Sequence, residues 1–411
     1  MSFGLARIDG DDGLDIAFLG DAIAPPLTGI GRYASELARR LPFQADVATV
    51  ALLTKGGWQD FESLTNRADP RPATKGSRVW SGRATTQHVQ QAAGYLPVAA
   101  QLIECMRDIA YGWRLRRLSD PRRTILHGPN YYAPASDLPT VVTVHDLSTL
   151  LFPETHPPIR VKRVALMLER AVRLGFDVVT DAMSTAKDLV TILGLTPERV
   201  HVVALGVGAP FRPVPIEAHY TVLERYGLST GRYCLSVGTA EPRKNLNRLL
   251  TAYATLPAKL RQACPLVLSG TQGWSDQPLR RAVAAGQRDG WVRDLGYVPL
   301  ADLPSLYSGA RLFTYVSLYE GFGLPIVEAM ACGAPVLTSS VSSMPEVADG
   351  AAMLVDPMDT SAIAEGLAAT LTDDVWRALA SAKGLARAAD LSWDRTAAET
   401  VAVYRSALAR R

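Results

Sequence analysis

The 411-residue chain has few cysteines, no long apolar run and almost no net charge, and each shortage removes a class of function. Its four cysteines, Cys105, Cys234, Cys264 and Cys332, lie far apart, with no C-x-x-C and no paired Cys/His spacing. That argues against a zinc site and for buried free thiols in a reducing compartment. No stretch of about eighteen apolar residues exists to span a bilayer. Forty-three basic residues against forty acidic ones leave +3, too even a balance to argue for nucleic acid. The opening MSFGLARIDGDDG has no basic segment leading into an apolar one. Secretion is therefore not indicated, and a cytoplasmic location is the default expectation. Low-complexity tracts and internal repeats are also missing.

What remains is a composition of 48% hydrophobic and 20% charged residues, that of a soluble globular protein. The length asks for two domains. Short β-branched or apolar runs alternate with helical patterns, the signature of βαβ units and parallel sheets. Strands are predicted at 14–20, 46–53, 124–127, 140–145, 177–180 and 200–205 in the first half. In the second half they are predicted at 233–238, 265–270, 292–298, 311–316, 335–339 and 352–356. Glycine and proline cluster in GVGAPFRPVP, Gly206 to Pro215, where the rhythm breaks. The expected organisation is α/β: residues 1–13 a disordered tail, 14–210 and 211–391 two doubly wound domains, and 392–411 a helix returning to the first. Such domains bind ligands at the carboxyl ends of their strands.

One segment combines two carboxylates with glycine and apolar residues: EGFGLPIVE, Glu320 to Glu328. Gly321 and Gly323 allow positive φ and close approach of a ligand. Pro325 suits the first turn of a helix that Gly333 would stop. The backbone N–H groups at that helix start favour an anion. An acid beside an anion site makes sense if it binds hydroxyls, so the segment points to a ligand carrying both phosphate and sugar. In the same predicted domain, SVGTAEPRKNLNRLL ends a strand at Gly238 and presents Arg243 and Lys244 where a helix begins near Asn245. Two cations there form a diphosphate clamp.

His145 ends TVVTVH and is followed by Asp146. The ring is either a satisfied, half-buried histidine or a functional group, with Asp146 as its orienting partner or as a cap for the next segment. Gly29 and Gly31 precede the helix containing Tyr33, where a tight turn competes with a ligand loop. His127, Asn130, Tyr131 and Tyr132 follow another strand and could face an acceptor or simply pack.

GTAEPRKN, GYVPLADLPSLYSGA and SLYEGFGLPIVEAMACGAPVLTS together resemble the C-terminal half of retaining family 4 glycosyltransferases, which have the GT-B fold. GIGRYASEL, HGPNYYAP, TVHDLSTLLFPETHP and SWDRTAAETVAVYRSAL are similar to one branch of that family, which includes mannosyltransferases of O-antigen and exopolysaccharide assembly. The resemblance implies two Rossmann-like domains facing a central cleft, with acceptor binding in the first and nucleotide-sugar binding in the second. It assigns Glu320 to hydroxyls of the transferred sugar and Glu328 to the nucleotide ribose, the family's E-x7-E pair. Arg243 and Lys244 would hold the diphosphate. The backbone of Phe322, Gly323 and Leu324 would contact sugar and β-phosphate, with Gly238 and Gly321 beside them. Val298, after a strand ending in Tyr297, lies where the family meets the base. His145 falls against the transferred sugar, and the Gly29–Gly31 loop across from the diphosphate. One departure stands out: after VVT comes Asp181, where relatives commonly have serine.

The expected activity is retaining transfer of a hexose, most simply mannose from GDP-mannose by an α-mannosyltransferase, to a saccharide or polyprenyl-diphosphate-linked acceptor. UDP- and dTDP-linked donors are alternatives. No cofactor or metal is expected, because the only D-x-D, Asp9-Gly-Asp11, precedes the first strand. A sugar-nucleotide epimerase of the same fold would want further acid/base groups. A non-catalytic scaffold would be expected to lose Lys244 or Glu320. A nicotinamide dehydrogenase lacks its G-x-G-x-x-G. Finally, Val98, Leu102, Cys105, Ile109 and Trp113 share one predicted helical face opposite Arg107 and Arg114. Arg116, Arg117, Arg122 and Arg123 follow. This stretch reads either as a basic amphipathic helix for an anionic inner-leaflet surface or as an ordinary packed helix.

Overall fold

The computed structural model describes residues 13–23, 29–65, 97–116, 120, 122–271 and 277–410, with backbone alone for 97–105. Asp9, Asp11 and Arg117, and the side chains of Val98, Leu102 and Cys105, lie outside the described set.

The chain divides into two compact units. The first comprises Met1–Asp181, Ala186–Val203 and Trp393–Arg411; the second comprises Ala182–Thr185 and Ala204–Ser392. The switch at Val203/Ala204 comes earlier than the glycine-proline cluster predicts. Val207 already belongs with the second unit, where it pairs with Ser392 and donates its amide to the Leu391 carbonyl at 2.9 Å.

In the first unit the strands are β1 (Leu14–Leu19), β2 (Val47–Thr54), β3 (Gly57–Gln59), β4 (Thr124–Gly128), β5 (Thr140–Thr143), β6 (Asp177–Thr180) and β7 (Val200–Val202). They form one sheet in the order β3-β2-β1-β4-β5-β6-β7, parallel throughout except for the β2–β3 pair. The short antiparallel β3 has no counterpart in the sequence reading, because three residues are too few to show an alternation. β4, β5 and β6 are buried along their whole length, as strands covered on both faces by helices must be. Their side chains meet Met167, Leu168 and Leu189 from the helices Pro158–Arg173 and Met183–Leu193.

The second unit repeats the plan with β8 (Cys234–Val237), β9 (Leu266–Ser269), β10 (Val292–Asp294), β11 (Leu312–Tyr315), β12 (Val336–Ser339) and β13 (Ala352–Val355). All are parallel, in the order β10-β9-β8-β11-β12-β13. Each sheet reverses its direction of growth once, at β1/β4 and at β8/β11. Loops leaving the carboxyl ends of β8 and β11 diverge there, to opposite faces of the sheet, and open a crevice between them.

Candidate active site

The loops that diverge after β8 and β11 carry the two motifs picked out in the sequence. After β8 the chain passes Gly238 and forms a short 3-10 turn, Pro242–Lys244, before the helix Leu246–Ala254. After β11 it runs through Glu320 to the helix Leu324–Ala331. Arg243 Nη1 donates to Glu320 Oε2 at 2.7 Å, and Lys244 Nζ to Glu320 Oε1 at 2.6 Å. Tyr315, the last residue of β11, also donates to Oε1 at 2.9 Å, and its hydroxyl accepts from Lys244. One buried carboxylate therefore has both oxygens held by cations. Burial alone would raise the Glu320 pKa, but Arg243 and Lys244 outweigh it and hold the acid at about 2. Burial pushes the Lys244 amine down from its ordinary value, with Arg243 adding to the effect against the pull of Glu320.

The supporting framework is made of residues to which the sequence assigned no role. Asn245 has left-handed backbone, φ 59°, and its amide donates to the carbonyls of Val316 at 3.0 Å and Pro357 at 2.7 Å. That ties the Arg-Lys turn to the end of β11. Ser342 Oγ donates to the Glu320 carbonyl at 2.6 Å, and Ser343 Oγ to the Phe322 carbonyl at 2.9 Å. Gly323 takes φ 102° and caps the helix, where any side chain would be strained. The helix starts at Leu324, one residue before the predicted Pro325, and Gly333 follows its C-cap at φ 78°. Gly321, Phe322 and Leu324 are all buried. Glu328 lies within this helix, buried, and accepts from Tyr307 at 3.1 Å.

A cavity of about 290 Å³ opens at the carboxyl ends of β8 and β9, lined by Gly238, Thr239, Lys244, Gly270, Arg280 and Tyr315 among others. It shares Lys244 and Tyr315 with the Glu320 cluster. Gly270 lets two loops meet: a Cβ there would fall 1.9 Å from the Gly238 carbonyl oxygen. Val298 is buried and does not line the cavity. The strand before it ends at Asp294, not Tyr297, because the backbone turns at Gly296, φ 63°.

In the first unit, Gly29 and Gly31 do not precede the helix but form its first turn, Gly29–Arg40, with Gly31 buried. His145 follows β5 and is buried, with Nδ1 2.7 Å from Asp181 Oδ2 and Nε2 3.0 Å from the Pro129 carbonyl. Asp146 is the cap of the two readings offered: it accepts from the Ser148 amide and hydroxyl. Of the four acceptor candidates, Asn130 alone is exposed. His127 is fully buried between Tyr404 and Thr143, whose hydroxyls engage both ring nitrogens, and burial lowers its pKa to about 3. Tyr131 and Tyr132 are core residues with hydroxyls on Asp146 and Asp108. Packing explains these three, so the acceptor reading does not extend to their side chains.

Among the described side chains of the helix Pro97–Leu115, Tyr111 and Leu115 are buried, while Ile109 and Trp113 of the apolar face are not. Ile109 and Trp113 are exposed by 67% and 58%, joined by Met106 at 60%. Arg107 lies over the Tyr132 ring. Arg123 pairs with Asp15 at 2.8 Å and so leaves the basic cluster, while Arg116 and Arg122 are exposed. Among the described residues, no helix is long and apolar enough to cross a membrane.

Residues 224–388 match the family described as glycosyl transferases group 1. Over 393 residues the chain is 36% identical to O-antigen chain mannosyltransferase B of Escherichia coli, spanning 95% of this chain and 100% of that one. It is 33% identical over 275 residues to the serotype-specific mannosyltransferase WbdA of Escherichia coli, which is 64% of this chain and 33% of that longer protein. WaaG, a glycosyltransferase involved in lipopolysaccharide biosynthesis, superposes with a TM-score of 0.61 over 95% of this chain and 98% of its own, at 18% identity. Anabaena HepE in complex with UDP and glucose gives 0.62 over 95% and 98%, also at 18% identity. These structures show the fold, GT-B, with its two parallel-sheet α/β domains.

Proposed function

The chain belongs to the glycosyl transferases group 1 family, and from that premise we propose that it transfers mannose from GDP-mannose to a saccharide or lipid-linked oligosaccharide in bacterial surface polysaccharide synthesis. The observation that carries this reading is the cluster of Arg243, Lys244, Tyr315 and Glu320 at the β8/β11 reversal. Cations and a helix start at Leu324 meet there, suited to the charge that develops on a departing diphosphate. The mannosyltransferases among the relatives support mannose as the sugar.

Glu320 is ionised at any working pH, with both oxygens engaged by cations. It is suited to accept hydroxyl hydrogen bonds from the sugar, and poorly suited either to donate a proton or to act as a nucleophile. Attack from the face of the leaving diphosphate, with a phosphate oxygen taking the acceptor's proton, fits that environment and retains configuration. The charge of the leaving group falls to Lys244, Arg243 and the helix start, so the reaction proceeds without a metal. Glu328 takes the ribose, and the cavity beside Gly238 and Gly270 takes part of the nucleotide. His145 acts on the transferred sugar, and Asn130 contributes to acceptor binding. The exposed Met106, Ile109 and Trp113 favour a further element, contact with an anionic membrane surface where a lipid-linked acceptor resides.

The test is a panel of GDP-, UDP- and dTDP-sugars, read by thermal shift and by transfer of labelled sugar to acceptor in the presence of EDTA. GDP-mannose should raise the melting temperature most, and label should appear in an α-linked product. Preference for a UDP- or dTDP-sugar would replace the donor. Restoration of activity by Mg²⁺ alone would refute metal independence. Label retained in an altered nucleotide sugar would make the protein an epimerase.

A further inference from the structure

His145 and Asp181 stand just beyond the ends of neighbouring, paired strands, β5 and β6. Their geometry is informative because of what the two ring nitrogens face. Nδ1 lies 2.7 Å from Asp181 Oδ2, and Nε2 lies 3.0 Å from the Pro129 carbonyl oxygen. A backbone carbonyl can only accept, and so can a carboxylate. A neutral imidazole has one N–H, and would aim its lone pair at one of these oxygens at hydrogen-bond distance. The arrangement therefore requires one proton more than a neutral histidine beside a carboxylate. His127 makes the contrast: its partners are hydroxyls of Tyr404 and Thr143, which can donate or accept, so a neutral ring is satisfied.

We propose that Asp181 is a positioning residue that holds His145 as an imidazolium, donating from both nitrogens, with its ring orientation and charge fixed. The proposal rests on His145 taking part in the transfer reaction. Both groups are buried, and among the described residues the second Asp181 oxygen, Oδ1, has no hydrogen-bond partner, so His145 is the cation that compensates this carboxylate. Among the described residues, the ion pairs of Asp181 and His145 involve no other cation. Tyr33 packs edge-on at 5.0 Å with its hydroxyl on Thr143, and Tyr131 lies at 6.4 Å with its hydroxyl on Asp146. Asp146 is a second carboxylate near the ring, and burial, with the charge of His145 adding to it, pushes the His127 pKa down and favours its neutral form. Burial works against the charged ring, but Asp181 more than offsets it and raises the His145 pKa. With both N–H groups committed, His145 is no general base. It offers the reaction a fixed positive charge.

The experiment pairs a spectroscopic readout with a pH profile. Imidazole ¹⁵N shifts, assigned by the loss of one signal in His145→Gln, would be followed from about pH 6 to 9 in wild type, Asp181→Asn, Asp181→Ser and Asp181→Glu. Wild-type His145 should keep both nitrogens protonated at pH 8, while the Asn and Ser variants should show a neutral ring there. Their turnover at saturating donor should fall about tenfold or more between pH 6 and 8 against a level wild-type profile, with Asp181→Glu restoring much of the difference. A neutral wild-type ring, its proton residing on Asp181, would overturn the imidazolium. Parallel pH profiles in wild type and both neutral variants would overturn the positioning role. If Asp181→Asn does not fold, Asp181→Ser, a smaller neutral side chain, decides. The spectroscopic arm needs no activity. Absence of transfer in wild type would count against the proposed function and leave the protonation result to decide this one.

Discussion

Lys244 Nζ and Glu320 Oε1, 76 residues apart in the chain, are joined at 2.6 Å, and Arg243 closes on the other oxygen of the same carboxylate. Removing Lys244 takes away one preorganised charge at the proposed diphosphate site and leaves Glu320 with Arg243 as its cation. Lys244→Ala should lower turnover on the order of 10²–10³-fold at saturating donor. Glu320→Ala should be similarly severe, while Glu328→Ala should act mainly on donor affinity. Near-normal turnover of Lys244→Ala would remove this cluster from the chemistry.

The same cluster sets a pH signature. The Glu320 pKa is about 2 when folded, against an ordinary 4.5, so its ionised form is favoured by folding. Its contribution is complete above pH 4.5 and is lost as the pH falls toward 2. Urea midpoints of wild type should therefore fall more steeply than those of Glu320→Gln across that window. Equal slopes would mean that Arg243 and Lys244 do not hold the carboxylate in solution.

Asn245 offers a test of framework without chemistry. Its buried amide serves two carbonyls on different loops, and its backbone is left-handed. Asn245→Ala should lose about 1–3 kcal/mol, seen as a lower melting temperature, from two unmet acceptors and an unfavourable φ. Asn245→Gly, which relieves the backbone, should recover part of that loss. Equal destabilisation in the two would show that φ contributes nothing.

The sequence made the alternation of strands and helices and the location of the Glu320 and Lys244 loops legible, because β-branched runs and a glycine-framed acid are local signals. It could not show that Tyr315, Asn245, Ser342 and Ser343 brace that site, since each is an ordinary residue until the fold brings distant segments together. The two histidines illustrate the limit best. Both end apolar strand patterns in the sequence. His127 lies within β4, paired on both sides by β1 and β5, whereas His145 lies two residues past the end of β5. The difference between a ring inside the sheet and one at a strand's exit is a strand boundary, which residue type alone does not resolve.

Two glycines test close approach and backbone preference, Gly270 carrying both and Gly323 chiefly the second. Gly270→Ala would drive a Cβ to 1.9 Å from a backbone carbonyl oxygen, so the β8 and β9 loops must part. Loss of donor-induced thermal shift and a lower melting temperature are expected together. Gly323→Ala meets only the end of the Ile326 side chain at 3.0 Å but carries φ 102°. It should cost about 1–2 kcal/mol while retaining measurable donor binding. A Gly270→Ala protein with wild-type stability and donor response would contradict the packing of these loops.

The exposed face of Pro97–Leu115 leads to a prediction about surfaces. Met106, Ile109 and Trp113 recur at helical spacing, and Arg116 continues the same stripe by one turn. Tyr111 and Leu115 anchor the helix on its other side, so changing the outer residues should leave stability within about 0.5 kcal/mol. Anionic vesicles should carry wild type upward in a flotation gradient at low salt, and neutral vesicles should carry much less. The triple variant Met106→Ser, Ile109→Ser, Trp113→Ser should stay in the soluble fraction. Arg116→Gln with Arg122→Gln should weaken binding about thirtyfold, from about 1 kcal/mol per arginine, whereas Arg123→Gln should have little effect because Asp15 already holds it. If wild type itself stays soluble with anionic vesicles at low salt, the apolar stripe does not serve a membrane and the acceptor need not be anchored in one.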